Sequence, residues 1–222
     1  NKGLIFQNVD DSLLIKKFLD SKSIKNISIV NGSGVNTETF YATSMPKEKS
    51  FLMISRILRD KGIYEYIKAS RMIKKKYPNI SIGIAGWFDT NPSAIKREEF
   101  FKIIGNDIIF YENIKDIRQI IKKYSIVVLP SYREGLPRSL LESMSMCRPI
   151  ITTNVPGCKE TVIDNFNGYL VDSKDYQSLF ISMEKMINTS KLNSMGLNSR
   201  KLVLEKFEIQ LINKKYISIL NL

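Results

Sequence analysis

The sequence predicts an α/β chain built on a doubly wound parallel sheet, and three observations predict it. From Phe51 onward, short apolar runs alternate with amphipathic stretches almost without interruption, which is the pattern of right-handed βαβ units. The runs themselves, of which Ile126-Val-Val-Leu129 is the clearest, are continuous and rich in β-branched residues, as expected of strands covered on both faces. Nor does any segment repeat at a spacing of about 20 to 50 residues, which excludes a solenoid.

Taken in order, Leu4–Gln7 and Ile27–Val30 read as strands around a helix over Asp10–Leu19, with apolar positions at Leu13, Leu14, Phe18 and Leu19. Asp10 or Asp11 is the expected N-cap of that helix. Asn31-Gly-Ser-Gly-Val-Asn36 is turn chemistry, and the stretch to Lys49 carries no periodic signal. It holds only part of a dinucleotide glycine fingerprint and no amphipathic helix follows, so no dinucleotide site is expected there. Strands follow at Phe51–Ser55, Ile80–Ala85, Ile108–Phe110, Ile126–Leu129 and Ile150–Thr153. Between them the helical patterns cover Gly62–Tyr77, Ser93–Ile103 with Ser93 as N-cap, Asp116–Lys122 and Pro137–Met146. A further strand is expected over Asn167–Val171, then helices over Asp175–Asn188, Lys191–Glu205 and Glu208–Leu220.

At 222 residues and 43% apolar, the chain can bury a real core and fits one domain of ordinary size, or one plus a fragment. No apolar run approaches the roughly 18 residues that cross a bilayer, and the start lacks a signal-peptide pattern, so a soluble protein is expected. That start has no initiator Met and enters a strand at once, which predicts a segment of a longer chain. A net charge of +12 suits an anionic partner, whether nucleotide phosphates, nucleic acid or an acidic membrane face. Lysine runs such as Lys74-Lys75-Lys76 also fit simple solvation of helix surfaces. Cys147 and Cys158 have neither zinc-site nor disulfide-framework spacing, consistent with a reducing compartment. The absence of His removes Ser-His and Cys-His catalysis and any His-ligated metal from this chain.

In open sheets of this kind ligands bind beyond the carboxyl ends of the strands, which directs attention to Pro130-Ser-Tyr-Arg-Glu-Gly-Leu-Pro-Arg-Ser-Leu-Leu-Glu142. Glu134 stands at a strand exit, Gly135 supplies a turn, Pro137 suits the first helical position, and Glu142 lies within the helix. Eight residues of helix span about 12 Å, the reach of an extended diphosphate ligand, and the helix N-terminus favours an anion. Ser55-Arg56-Ile-Leu-Arg-Asp-Lys61-Gly62 leaves a neighbouring strand, placing Arg56 and Lys61 on the same rim. A guanidinium fork and an ammonium together can neutralise a diphosphate. Gly86 and Tyr111 occupy comparable strand exits. Paired glutamates and basic loop residues are each common as plain solvated charges, so the motifs around them carry the reading.

Those motifs resemble the retaining glycosyltransferases of the family-four, GT-B type. E-G-L-P-R-S-L-L-E is similar to the family's glutamate-x7-glutamate signature, and S-R-I-L-R-D-K-G to its (G/S)-R-x4-K-G motif. N-G-S-G-V-N with Phe40 resembles the segment that joins the two GT-B domains. The resemblance implies that residues 1–36 are the last piece of an N-terminal acceptor domain with its linker. It further implies that residues 37–206 form the donor-binding domain and 207–222 a crossover helix. It assigns catalysis to Glu134, Arg56 and Lys61, with donor contacts also from Gly86, Tyr111, Gly135, Leu136, Pro137, Arg138 and Glu142. No metal and no cofactor are implied beyond a nucleotide-sugar substrate, UDP-linked on the wording of the motifs. The acceptor would be polyprenyl-diphosphate-linked or another glycan, reached through the N-terminal domain. The place of work would be the cytoplasm, at the inner face of an anionic cell membrane, without nucleic acid. Two alternatives stay open: a non-catalytic nucleotide-sugar-binding module, and a nucleic-acid-binding α/β domain, which the absence of an interleaved basic-aromatic motif disfavours.

Overall fold

The structure, a computed structural model, describes residues 3–18 and 26–220. Leu19, the expected end of the first helix, lies outside them. Strand β1 (Gly3–Phe6), helix α1 (Val9–Lys16) and strand β2 (Asn26–Ile29) form a βαβ unit whose two strands pair in parallel. Asn8, rather than Asp10 or Asp11, caps α1, its side chain accepting from the Asp11 N–H at 2.8 Å. The acidic pair falls instead in the first turn, where it meets the positive end of the helix dipole.

The main sheet holds six parallel strands: β3 (Ser50–Ile54), β4 (Ser81–Gly86), β5 (Ile109–Glu112), β6 (Ile126–Leu129), β7 (Ile150–Thr153) and β8 (Gly168–Val171). Their order, β5-β4-β3-β6-β7-β8, reverses direction between β3 and β6, which is the switch point where doubly wound sheets bind ligands. All residues of β3, β6 and β7 are buried, as continuous apolar strands between helical layers require. The helices are α2 (Ile63–Lys76), α3 (Arg97–Ile104), α4 (Arg118–Ile121), α5 (Arg138–Ser145), α6 (Tyr176–Asn188), α7 (Leu192–Lys206) and α8 (Ile209–Leu220). Right-handed crossovers running in opposite directions from the switch point place α2 and α5 on opposite faces. There α2 packs against α6, and α5 against α7.

Helix α2 shows how sequence becomes packing here. Ile63, Tyr66, Ile67, Ser70 and Ile73 recur at helical spacing and are buried, while Lys74 to Lys76 close the last turn at the negative end of the dipole. Its cap, Gly62, has φ +74°, and an added Cβ would lie 2.1 Å from the Pro130 carbonyl oxygen. Only glycine lets the loop after β3 lie directly on the loop after β6.

Two further expectations are corrected. Helix α3 starts at Arg97, not Ser93. The Ser93 hydroxyl contacts Asn91 and Asp60, its carbonyl accepts from Arg59, and Leu58 bridges Ala94 in antiparallel fashion. Residues 89–95 are thereby laced to the loop after β3 instead of joining the helix. Pro137 is the N-cap of α5 rather than its first helical residue, with ψ 111°. The boundaries expected at 36/37 and 206/207 lie side by side: Val35 N–H donates to Phe207 O at 2.9 Å, and Ile209 N–H to Val35 O at 3.0 Å.

Candidate functional site at the switch point

A cleft of about 640 Å³ opens at the carboxyl ends of β3 and β6. The exits of β3 and β4 line it with Ser55, Arg56, Gly86 and Trp87, and Ile114 and Ile117 close the end beyond β5. Glu134 and the first turns of α5, including Glu142, complete it.

Lys61 and Glu134 meet across it, Nζ to Oε1 at 2.5 Å, with only 14% and 15% of their side chains exposed. Glu134 is presented by a loop whose position is set from behind, since its N–H donates to Pro156 O at 3.1 Å. On the facing loop, the Asp60 carbonyl accepts from Tyr132 N–H at 2.8 Å and from the Ser131 hydroxyl at 3.2 Å. The loops carrying Lys61 and Glu134 are therefore fastened to each other, and the ion pair is preorganised rather than assembled by chance.

Arg56 forms a 2.9 Å ion pair with Asp89, whose carboxyl is held below its ordinary range by that guanidinium and by the Asn91 N–H. Glu142 sits one turn into α5 beside Arg138, at 3.4 Å. Burial pushes the Glu142 carboxyl above the usual carboxylate range, against the pull of Arg138. Among the described residues no side chain caps α5; the N–H groups of Leu140 and Leu141 turn back to the Pro137 carbonyl, and those of Arg138 and Ser139, both in the cleft wall, remain available. Beneath the floor, Cys158 is fully buried and its thiol is pushed up to about 11 by that burial, so it stays protonated at neutral pH and serves packing.

Of the residues singled out from sequence, Arg56, Lys61, Gly86, Glu134, Pro137, Arg138 and Glu142 converge on this one cleft. Tyr111, Gly135 and Leu136 do not line it. Tyr111 turns into the body of the domain, its hydroxyl 3.3 Å from that of Tyr124. Leu136 packs over Gly32, and Gly135 faces the β1–α1 connection. Gly86 is explained by strand spacing, because a Cβ there would lie 2.0 Å from the Ser55 carbonyl oxygen. Sequence reasoning missed Trp87, Ile114, Ile117 and Asp89. Trp87 alone had a visible signal, a large aromatic directly after a strand-exit glycine. Arg59 is structural, pairing with Glu99 and lying over the Tyr64 ring.

A parallel sheet with a cleft at its switch point, holding a half-buried Lys–Glu pair and a helix N-terminus without a side-chain cap, defines the doubly wound class of α/β architecture. The comparisons narrow that class. Residues 37–202 match the family described as Glycosyl transferases group 1, and the chain belongs to that family. It is 30% identical over 169 residues to the capsular polysaccharide biosynthesis glycosyltransferase CapM of Staphylococcus aureus, covering 76% of this chain and 44% of that protein. It is 26% identical over 181 residues to a Campylobacter jejuni N,N'-diacetylbacillosaminyl-diphospho-undecaprenol alpha-1,3-N-acetylgalactosaminyltransferase, covering 75% and 46%. The chain thus spans about half the length of the curated relatives it matches. Among solved structures, the C-terminal domain of a group 1 glycosyl transferase from Francisella tularensis is 29% identical, with a TM-score of 0.68 over 80% of this chain and 100% of that one. Sucrose-phosphate synthase from Thermosynechococcus elongatus superposes with a TM-score of 0.86 at 21% identity, over 99% of this chain and 57% of that one. The fold is that of the C-terminal half of a GT-B glycosyltransferase.

Proposed function

We propose that this chain is the donor-binding part of a retaining, metal-independent glycosyltransferase. It would move a hexose or N-acetylhexosamine from a UDP-linked donor to a lipid-linked or polysaccharide acceptor. The observation that carries this reading is the Lys61–Glu134 pair at the switch point, with Arg56 on one side and the open N-terminus of α5 on the other. Transfer breaks the bond between the anomeric carbon and the β-phosphate oxygen, so negative charge develops on the departing diphosphate. Lys61, Arg56 and the free N–H groups at the start of α5 would meet that charge, and donors that need no reorganisation stabilise it most. Glu134 would hold sugar hydroxyls beside the reacting carbon, and Glu142 the two ribose hydroxyls. The acceptor hydroxyl would attack from the face the diphosphate leaves and pass its proton to the departing phosphate oxygen, which retains configuration without a covalent enzyme intermediate.

The acceptor class follows from the relatives, one named for capsular polysaccharide and another for an undecaprenol-linked substrate. Such an acceptor would bring the protein to the cytoplasmic face of the membrane, where its net charge of +12 suits anionic lipid. Calorimetric titration of the full-length protein with UDP, GDP and several UDP-sugars tests the reading. UDP should bind more tightly than GDP, and Arg56→Ala should weaken UDP about tenfold or more, as loss of a charged hydrogen bond does. Absence of nucleotide binding in the wild type would refute it.

A further inference from the structure

The Gly135 peptide, next to Glu134, is held from outside the donor-binding domain. Asn8 is only 1% exposed, although it belongs to the small βαβ unit and precedes a helix rich in exposed residues. Its Oδ1 accepts from the Asp11 N–H at 2.8 Å, and its Nδ2 donates to Asp11 Oδ2 at 2.9 Å and to the Gly135 carbonyl at 3.0 Å. Capping α1 requires only the acceptor oxygen. The bond to Gly135 crosses 127 residues of chain and does nothing for the cap.

The surroundings reinforce that contact. Arg133 pairs with Asp11, and Lys159 with Asp10 at 2.8 Å. The Gln7 side chain lies so close to Gly135 that an added Cβ would be 2.3 Å from its Oε1. On the opposite side Glu134 N–H is held by Pro156 O. Residues 133–135 are thus gripped between the loop after β7 and residues 7–11. In a planar trans peptide the N–H points opposite the C=O. Fixing the Gly135 carbonyl therefore fixes the direction of the Leu136 N–H, which has no acceptor among the described residues.

We infer that Asn8 is a positioning residue for the transfer reaction: by holding the Gly135 carbonyl it sets the peptide beside Glu134, and with it the angle at which that carboxylate meets the donor sugar. The inference rests on the donor-site reading above. It makes the donor half dependent on a residue of the small N-terminal unit, and it concerns the sugar end of the donor, not the nucleotide end. UDP, which lacks the sugar, is bound by Arg56, Lys61 and Glu142 and does not need it.

The test compares Asn8→Ser and Asn8→Ala in the full-length enzyme. Serine caps a helix about as well as asparagine but is too short to reach Gly135 as well. For both variants kcat should fall about tenfold, the worth of one well-placed hydrogen bond, while UDP affinity by calorimetry stays within twofold. The melting temperature should fall for Asn8→Ala alone. A wild-type kcat for Asn8→Ser overturns the inference and leaves the donor site intact. So does a loss of kcat confined to Asn8→Ala and tracking its melting temperature, or a parallel loss of UDP affinity in both variants. A wild-type protein that bound no UDP and turned over no nucleotide sugar would overturn the donor-site reading and this inference with it.

Discussion

Lys61 and Glu134 are 73 residues apart in the chain and 2.5 Å apart in the cleft, and each shields the other from solvent. A pair this dry is costly to break from one side, because the remaining charge keeps its desolvation penalty and loses its partner. The two partners nevertheless do different work. On the proposed donor-site reading, Lys61 would meet the charge of the diphosphate, and Glu134 the sugar hydroxyls.

Lys61→Ala is therefore expected to weaken UDP binding by about 2 kcal/mol, the scale of a hydrogen bond to a charged group. Glu134→Gln keeps a hydrogen-bond acceptor for Lys61 and should fold, with some loss of stability from the unbalanced Lys61 charge. It should leave UDP affinity nearly unchanged while lowering transfer about a hundredfold, since its contacts matter as charge develops. Calorimetry and steady-state transfer on the same preparations check both. Normal transfer in Glu134→Gln would show that the carboxylate charge is not needed.

Donor binding should not require a metal. Among the described residues no three His, Cys, Asp or Glu side chains converge as a metal site, and on the proposed reading the cationic groups of the cleft would take the place of a divalent ion in neutralising phosphate. UDP titrations in excess EDTA should match those in magnesium. Binding abolished by EDTA and restored by magnesium would contradict this.

Much of this arrangement was legible in the sequence, and the parts that were not share a cause. β6 and β7 fall at the residues expected because a short, uniformly apolar run leaves little choice of boundary. Arg56, Lys61, Glu134 and Glu142 came from local motifs at strand exits, and the parallel sheet necessarily gathers strand exits at one edge. Asp89 and Asn8 were missed because their partners are Arg56, 33 residues away, and Gly135, 127 residues away. No local pattern encodes such pairings. Ser93 looked like a helix cap for the right chemical reason, yet its hydroxyl and carbonyl are taken by the neighbouring loop. Tyr111 lies inside β5, which runs on to Glu112, and its side chain turns toward Tyr124, because the face of a side chain in a four-residue strand depends on register, and one step reverses it.

Arg148 carries a structural prediction. It is fully buried, and its guanidinium donates to the carbonyls of Ile121, Thr43, Ser44 and Met146 and to the Thr43 hydroxyl. Burial pushes its pKa down to about 10, so at neutral pH it remains a cation solvated by backbone oxygen. It pins residues 43–44 to the start of β7. Arg148→Met should cost about 3 kcal/mol in urea unfolding, because several buried carbonyls lose their donor at once. UDP affinity of the folded variant should be unchanged, as the cleft does not touch this residue. A loss below about 1 kcal/mol would mean the segment relaxes to find other donors.

Glu142 trades stability for binding. Its side chain is 14% exposed, and burial raises its carboxyl above the ordinary range with only partial relief from Arg138. A raised folded-state pKa means the ionised form disfavours the fold. That penalty is absent in acid, where the carboxyl is protonated in both states. It appears as pH rises through the unfolded-state value, and is complete above the folded-state one. Glu142→Gln removes it, so the variant should melt higher than wild type near neutral pH and about equally in acid. UDP affinity should move the other way, because an amide offers one good acceptor where a carboxylate accepts from two neighbouring ribose hydroxyls. A higher donor KM with little change in kcat would report that loss of uniform binding. Titrating both proteins across the acidic range isolates the residue, since the titration of UDP itself cancels in the ratio of affinities. Wild type should lose its advantage as pH falls through the raised Glu142 value. Equal UDP affinity of the two proteins at neutral pH, or a ratio flat with pH, would remove Glu142 from the nucleotide site.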